Sequence, residues 1–249
     1  MSLSRNNART VSFSGVDGAG KSTQIESLRA YLEQRGFRVR ILRFWDDVAA
    51  LTRVREEAGH KVFKGEKGIG TPGAPVNRRD KNVRGWPMTC LRLFIYLLDT
   101  LSLRDVFRKA IRSNADLIIF DRYTYDELAN LNLNRSVLRA YAQFLFRIAP
   151  KADISFVLDA DPEAARARKP EYPLDFLRFN REAYLHLSRT FCLTVIPPLP
   201  IAEAHREVLA RTLGILSSDS ESAKVHSTQV GEAVGAPRNH PAVFQSHES

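Results

Sequence analysis

Cysteine is almost missing from this chain. Cys90 and Cys192 are the only two among 249 residues, and they lie far apart. That excludes a disulfide scaffold and a cysteine zinc site. No run approaches the roughly 20 apolar residues that span a bilayer. Met1 to Thr10 is polar and lacks the apolar stretch of a secretory signal. The six histidines show no ligand spacing, and half of them fall after residue 217, so none is expected to bind metal. Acid is scarcer than base: 28 Asp and Glu stand against 37 Lys and Arg, a net charge of +9. A hydrophobic share of 44% still suits a globular core and excludes a wholly disordered chain. The expectation is a cytoplasmic, basic protein with a single core, at most one domain plus an appendage.

Apolar runs alternate with helical patterns. Thr10 to Ser14, Val39 to Phe44, Leu117 to Phe120, Ile154 to Leu158 and Leu193 to Ile196 read as strands. Leu117-Ile118-Ile119-Phe120 is continuously apolar, as a strand covered on both faces requires. A helix over about Lys21 to Gln34 carries Ile25, Leu28 and Leu32 at helical spacing and stops at Gly36. Leu91 to Leu103 is strongly apolar and reads as a buried helix or a pairing face. The pattern predicts an α/β three-layer sandwich with a mostly parallel five-stranded sheet. Two segments break it. Residues 60–87 are rich in Gly and Pro and hold seven cations against two acids, which reads as a basic insertion in a domain over 1–216. Residues 217–249 are rich in Ser, His, Gly and Pro, with two cations against four acids, and read as a disordered tail.

The chemistry concentrates near the amino end. Gly15, four residues, then Gly20-Lys21-Ser22 complete the phosphate-binding loop pattern, with a strand before and a helix after. Glycines let the backbone curl so that successive N–H groups face phosphate oxygens. The helix start adds its positive dipole end. Gly15, Asp17, Gly18, Ala19, Gly20, Lys21, Ser22 and Thr23 are therefore the candidate ATP contacts. Lys21 would sit on the β- and γ-phosphates, and Ser22 would ligate Mg²⁺, with Asp121 behind it directly or through water. This makes the expected fold one of the P-loop type. Gly68-Ile69-Gly70-Thr71-Pro72-Gly73 spells a dinucleotide fingerprint, but no strand precedes it and a proline interrupts it. Asp121 is followed by Arg122, which suits gripping a second anion better than preparing a water. Asn77-Arg78-Arg79-Asp80 is a poor match to a guanine reader.

Together these strings resemble the thymidylate kinase family of nucleoside monophosphate kinases, over about residues 9–214. The likeness rests on Val11 to Thr23, on Asp121-Arg122-Tyr123, on Leu158-Asp159-Ala160-Asp161-Pro162-Glu163 leading to Arg168, and on Arg43-Phe44. The resemblance implies an ATP- and magnesium-dependent kinase, dTMP kinase-like. It assigns Asp17, Arg43, Phe44 and Arg122 to the acceptor. The catalytic residues would be Lys21, Arg122 and Arg168, with Lys169 or Arg166 beside Arg168 in a short lid. It also implies a homodimer, in preference to contact with a membrane surface. The sequence departs from the family after Phe44, where Trp45-Asp46-Asp47 follows, and at Leu98-Asp99-Thr100, where the family carries an arginine. These departures keep a second reading open, a non-nucleotide acceptor such as a sugar, glycan precursor or lipid-linked phosphate. Nucleic acid is not expected, since residues 60–87 hold few aromatics beyond Phe63 and Trp86.

Overall fold

The computed structural model describes residues 8–49 and 86–233, with side chains over 8–49 and 89–217. Most of the basic insertion expected over 60–87 lies outside the described residues. Five strands form one fully parallel sheet: β1 (Arg9–Ser14), β2 (Val39–Arg43), β3 (Leu117–Asp121), β4 (Ile154–Leu158) and β5 (Thr194–Ile196), in the order β2-β3-β1-β4-β5. Helices separate them: α1 (Lys21–Glu33), α2 (Trp86–Ile111), α3 (Thr124–Leu128), α4 (Ser136–Ile148), α5 (Pro162–Arg168), α6 (Leu174–Phe191) and α7 (Ile201–Ala233). A π-helical turn, Phe44–Val48, follows β2. α7 runs past residue 216, into the segment expected as a tail; residues 234–249 lie outside the described ones. Among the described residues no helix is long and apolar enough to cross a membrane.

Strand side chains alternate between two covered faces. Val11, Phe13, Leu117, Ile119, Phe156 and Leu158 pack under α1 and α7, against Ile25, Leu28, Leu32 and Val208. On the opposite face Leu42, Ile118 and Phe120 pack with Leu103 and Ala110 of α2, and Val157 with Leu128, Ala142, Leu145 and Leu187 from α3, α4 and α6. β1 is unusual here. Its second face carries Thr10, Ser12 and Ser14, all buried. Thr10 donates from both its N–H and its hydroxyl to Asp153, and Ser14 donates to Asp126 at 2.7 Å. Alternation of hydroxyl and apolar residues therefore marks an interior strand rather than one with a wet face.

The order places β1 at the middle, with the connection from β1 running toward β2 and that from its neighbour β3 running the other way, toward β4. Ligands of such sheets sit beyond the strand C-termini, at that switch. Ser14, Asp121 and Arg43 all end their strands at this edge, and Phe13 and Arg43 are each in register with Asp121.

Phe120 anchors this arrangement. It is fully buried, stacked on Phe107 and edge-on to Tyr123. Phe120→Ala is expected to cost about 3–5 kcal/mol, read as a lowered urea midpoint with unchanged slope.

Candidate active site

The loop between β1 and α1 is built by steric need. A Cβ on Gly15 would stand 2.4 Å from the Leu158 carbonyl oxygen, and one on Gly18 would stand 2.3 Å from that of Ala165. Both glycines also have positive φ, 141° and 84°. The loop is thereby pressed onto β4 and α5, where no side chain fits. α1 then starts at Gly20 with no side-chain cap and no acid in its first turn. Its first N–H groups and its dipole are available to an anion. Ser22 and Thr23 are exposed there.

Lys21 is buried, and its Nζ donates to the carbonyl oxygens of Gly15 and Val16 at 2.7 and 2.8 Å. Burial, reinforced by repulsion from Arg122, lowers its pKa to about 7 against the pull of Asp17, Asp126 and Asp121. Asp121 closes β3, half-buried, and burial raises its pKa despite Arg122 and Lys21 nearby.

Arg122 follows with a left-handed backbone, φ 72°, and its N–H donates to the Phe13 carbonyl at 2.9 Å. Such a conformation is costly for a residue with a Cβ and is held only where the surroundings impose it. The turn aims the guanidinium back over the phosphate loop. One edge bonds Asp17 and the other Asp126. Burial works to lower the Arg122 pKa, but Asp126 and Asp17 outweigh it and raise it. Arg122 is thus the centre of an ion-pair cluster with both acids.

The lid base is α5. Asp161 caps it, accepting from the Ala164 N–H, with Pro162 in the first turn. Arg168 ends α5 and its Nε donates to the Gly18 carbonyl at 2.8 Å. It therefore reaches the phosphate loop, whereas Lys169 pairs with Glu171 at 3.4 Å. Arg181 grips Asp159 at the end of β4 with two bonds, 2.6 and 2.7 Å.

The acceptor-side candidates divide. Arg43 is exposed at the end of β2, its N–H bonded to Asp47 at 2.7 Å. Phe44 is fully buried in the core, so the ring open to a ligand at this place belongs to Trp45, which stands edge-on to it. Asp99 and Thr100 are fully buried within α2, and Thr100 donates to the Tyr96 carbonyl. Sequence reasoning missed Asp126, which receives Arg122, Ser14, the Tyr123 N–H and Tyr184. Its only signal was the four-residue spacing from Arg122. Tyr184 gave none.

Oxygen donors at this edge suit a hard divalent cation: the exposed Ser22 hydroxyl and the Asp121 carboxylate. Among the described residues no cluster of three or more His, Cys, Asp or Glu could hold a metal alone. The oxygens of a bound nucleotide would have to complete the coordination.

No family model matches the chain. Relatives do. The chain is 25% identical over 205 residues to a protein of Archaeoglobus fulgidus named "Probable thymidylate kinase", covering 80% of this chain and 91% of the relative. It is 29% identical over 225 residues to the thymidylate kinase of Dinoroseobacter shibae, covering 81% and 95%. The crystal structure of thymidylate kinase from Ehrlichia chaffeensis superposes with a TM-score of 0.54 at 16% identity, covering 83% of this chain and 99% of that one, which shows the fold.

The depressed lysine yields a test. Its folded pKa of about 7 lies below the ordinary 10.5. Unfolding then takes up a proton between these values, so stability falls as pH drops from 10.5 toward 7 and levels off below. Lys21→Met is expected to flatten that slope in urea titrations. At about pH 8, triphosphate binding by the unmutated protein is expected to take up a fraction of a proton, seen by calorimetry in buffers of different ionisation heat.

Proposed function

We propose that this chain, a divergent relative of the thymidylate kinases, is an ATP-dependent kinase that phosphorylates a nucleoside monophosphate, with dTMP as the acceptor. The observation that carries this reading is the contact of Arg122 with Asp17. It joins an anion-gripping residue to the loop that cradles the donor, so two phosphate sites share one hydrogen-bonded cluster. A non-nucleotide acceptor has no counterpart in the names of these relatives.

Phosphoryl transfer asks mainly for alignment and neutralised charge. The backbone from Gly18 to Ser22 and the Lys21 ammonium hold the donor phosphates. Ser22 and Asp121 would hold Mg²⁺, which when bound neutralises charge on the β- and γ-phosphates. Lys21 becomes fully charged as the anion replaces the carbonyl oxygens of Gly15 and Val16 around it. Arg122 passes from Asp17 to the acceptor phosphate and keeps it in line. Arg168 stands one bond from Gly18, at the place where a cation can meet the charge that develops on the transferred group. Trp45 offers its ring to a base, and Arg43 its charge. The cytoplasm, where both nucleotides are found, is the proposed place of action.

The reading extends to a homodimer. Leu91, Phe94 and Leu101 are exposed on α2 at spacings that put them on one stripe, and Val137 and Phe144 are exposed on α4. Tyr141 of α4 donates to the Leu93 carbonyl, so the two helices adjoin. A self-complementary apolar stripe suits a two-fold pair.

Purified protein is expected to release ADP with dTMP and Mg²⁺, and Lys21→Ala to abolish it. Arg168→Ala is expected to lower kcat by about 10³-fold with a small change in the KM for ATP. Absence of ADP release with every nucleoside monophosphate would overturn the reading. Light scattering should give twice 28.1 kDa, and Phe94→Glu should give the monomer.

A further inference from the structure

Asp126 lies outside the residues just assigned, yet it is the most heavily used carboxylate at the site. It is 4% exposed. One oxygen, Oδ1, accepts from Arg122 Nη1 at 3.2 Å and from the Tyr184 hydroxyl at 2.8 Å. The other, Oδ2, accepts from the Ser14 hydroxyl at 2.7 Å and from the Tyr123 N–H at 3.0 Å. Four donors thus meet the roughly four lone-pair sites of one carboxylate. They come from β1, from the turn after β3 and from α6, so the group is tied to three separate parts of the fold. Asp17, the other partner of Arg122, sits instead on the phosphate loop.

An incoming acceptor phosphate competes for the guanidinium with both acids. Asp126 is held by three donors besides Arg122, so it keeps its place when a ligand arrives. We infer that Asp126 is a positioning residue that fixes one edge of Arg122 for the acceptor phosphate. This rests on the kinase reading for the identity of the phosphate, while the hold of Asp126 on Arg122 stands apart from it.

The donor count says what an amide would do. In Asp126→Asn one oxygen becomes an NH₂ donor. Ser14 and Tyr184 hydroxyls can turn to accept from it, but the Tyr123 N–H and the Arg122 N–H cannot. The buried backbone N–H claims the remaining oxygen, and the NH₂ is turned on Arg122. Tyr184→Phe is the control: it removes one buried bond to the same carboxylate and leaves Arg122 its acceptor.

The expected result is a rise of about 10-fold or more in the KM for dTMP in Asp126→Asn, with the KM for ATP within about 2-fold. Tyr184→Phe should leave both constants within about 2-fold while lowering the melting temperature. A purely structural role predicts equal kinetic effects from the two variants, and that result would overturn the inference. Guanidinium ¹⁵N signals, assigned through Arg122→Lys, give a readout that needs no turnover. Slow rotation of the Arg122 guanidinium should persist in Tyr184→Phe and vanish in Asp126→Asn; its persistence in the latter overturns the inference. If the unmutated protein turns over no monophosphate, the kinase reading fails and these signals still decide the role of Asp126. A crystal of the unmutated protein with dTMP covers the case in which Asp126→Asn does not fold. Arg122 should then keep Asp126 while it holds the phosphate, and a guanidinium found off Asp126 sinks the idea.

Discussion

Two cations are held out of water at one end of the sheet, and the rest of the site is arranged around that cost. A buried charge must meet an opposite charge or a full set of hydrogen bonds. Lys21 meets loop carbonyls and loses much of its basicity; Arg122 meets two carboxylates and keeps its charge. The difference follows from chemistry. An ammonium can release its proton when poorly compensated, whereas a guanidinium cannot and must be partnered. Both charges are thus surrounded by oxygens of the protein itself.

The fold makes this possible by bringing strand ends together. β1 and β3 are neighbours in register, so the loop leaving β1 and the turn leaving β3 emerge side by side. α1 and α7 cover one face, and Gln24 of α1 donates to the Ile201 carbonyl at the start of α7. α1, which starts where the loop ends, is accordingly tied to α7 as well as to the sheet.

Much of this was legible from sequence, because it depends on local rules. The continuous apolar run of β3, the glycine spacing of the loop and the amphipathic repeat of α1 each carry their own signal. The register of β1 between β3 and β4 carried none, and neither did the inward hydroxyls of Thr10, Ser12 and Ser14, since only the tertiary fold covers that face. Among the site residues, Lys21 and Arg122 stood out by motif. Asp126 and Tyr184 meet across 58 positions of sequence, a distance no spacing rule reaches. Phe44 was legible as part of a motif, yet its burial depends on α2, which approaches it from far along the chain.

The missing side chain at Gly18 lets the backbone of α5 lie directly on the phosphate loop, and Arg168 ties the far end of α5 to the same glycine. The loop and α5 are consequently coupled at this glycine. A chimera that imports a foreign lid would inherit its own curvature at that point and, through it, reshape the cradle beneath. Grafts of this kind have to carry both strands of the joint, the glycine and the turn of helix that rests on it, or neither.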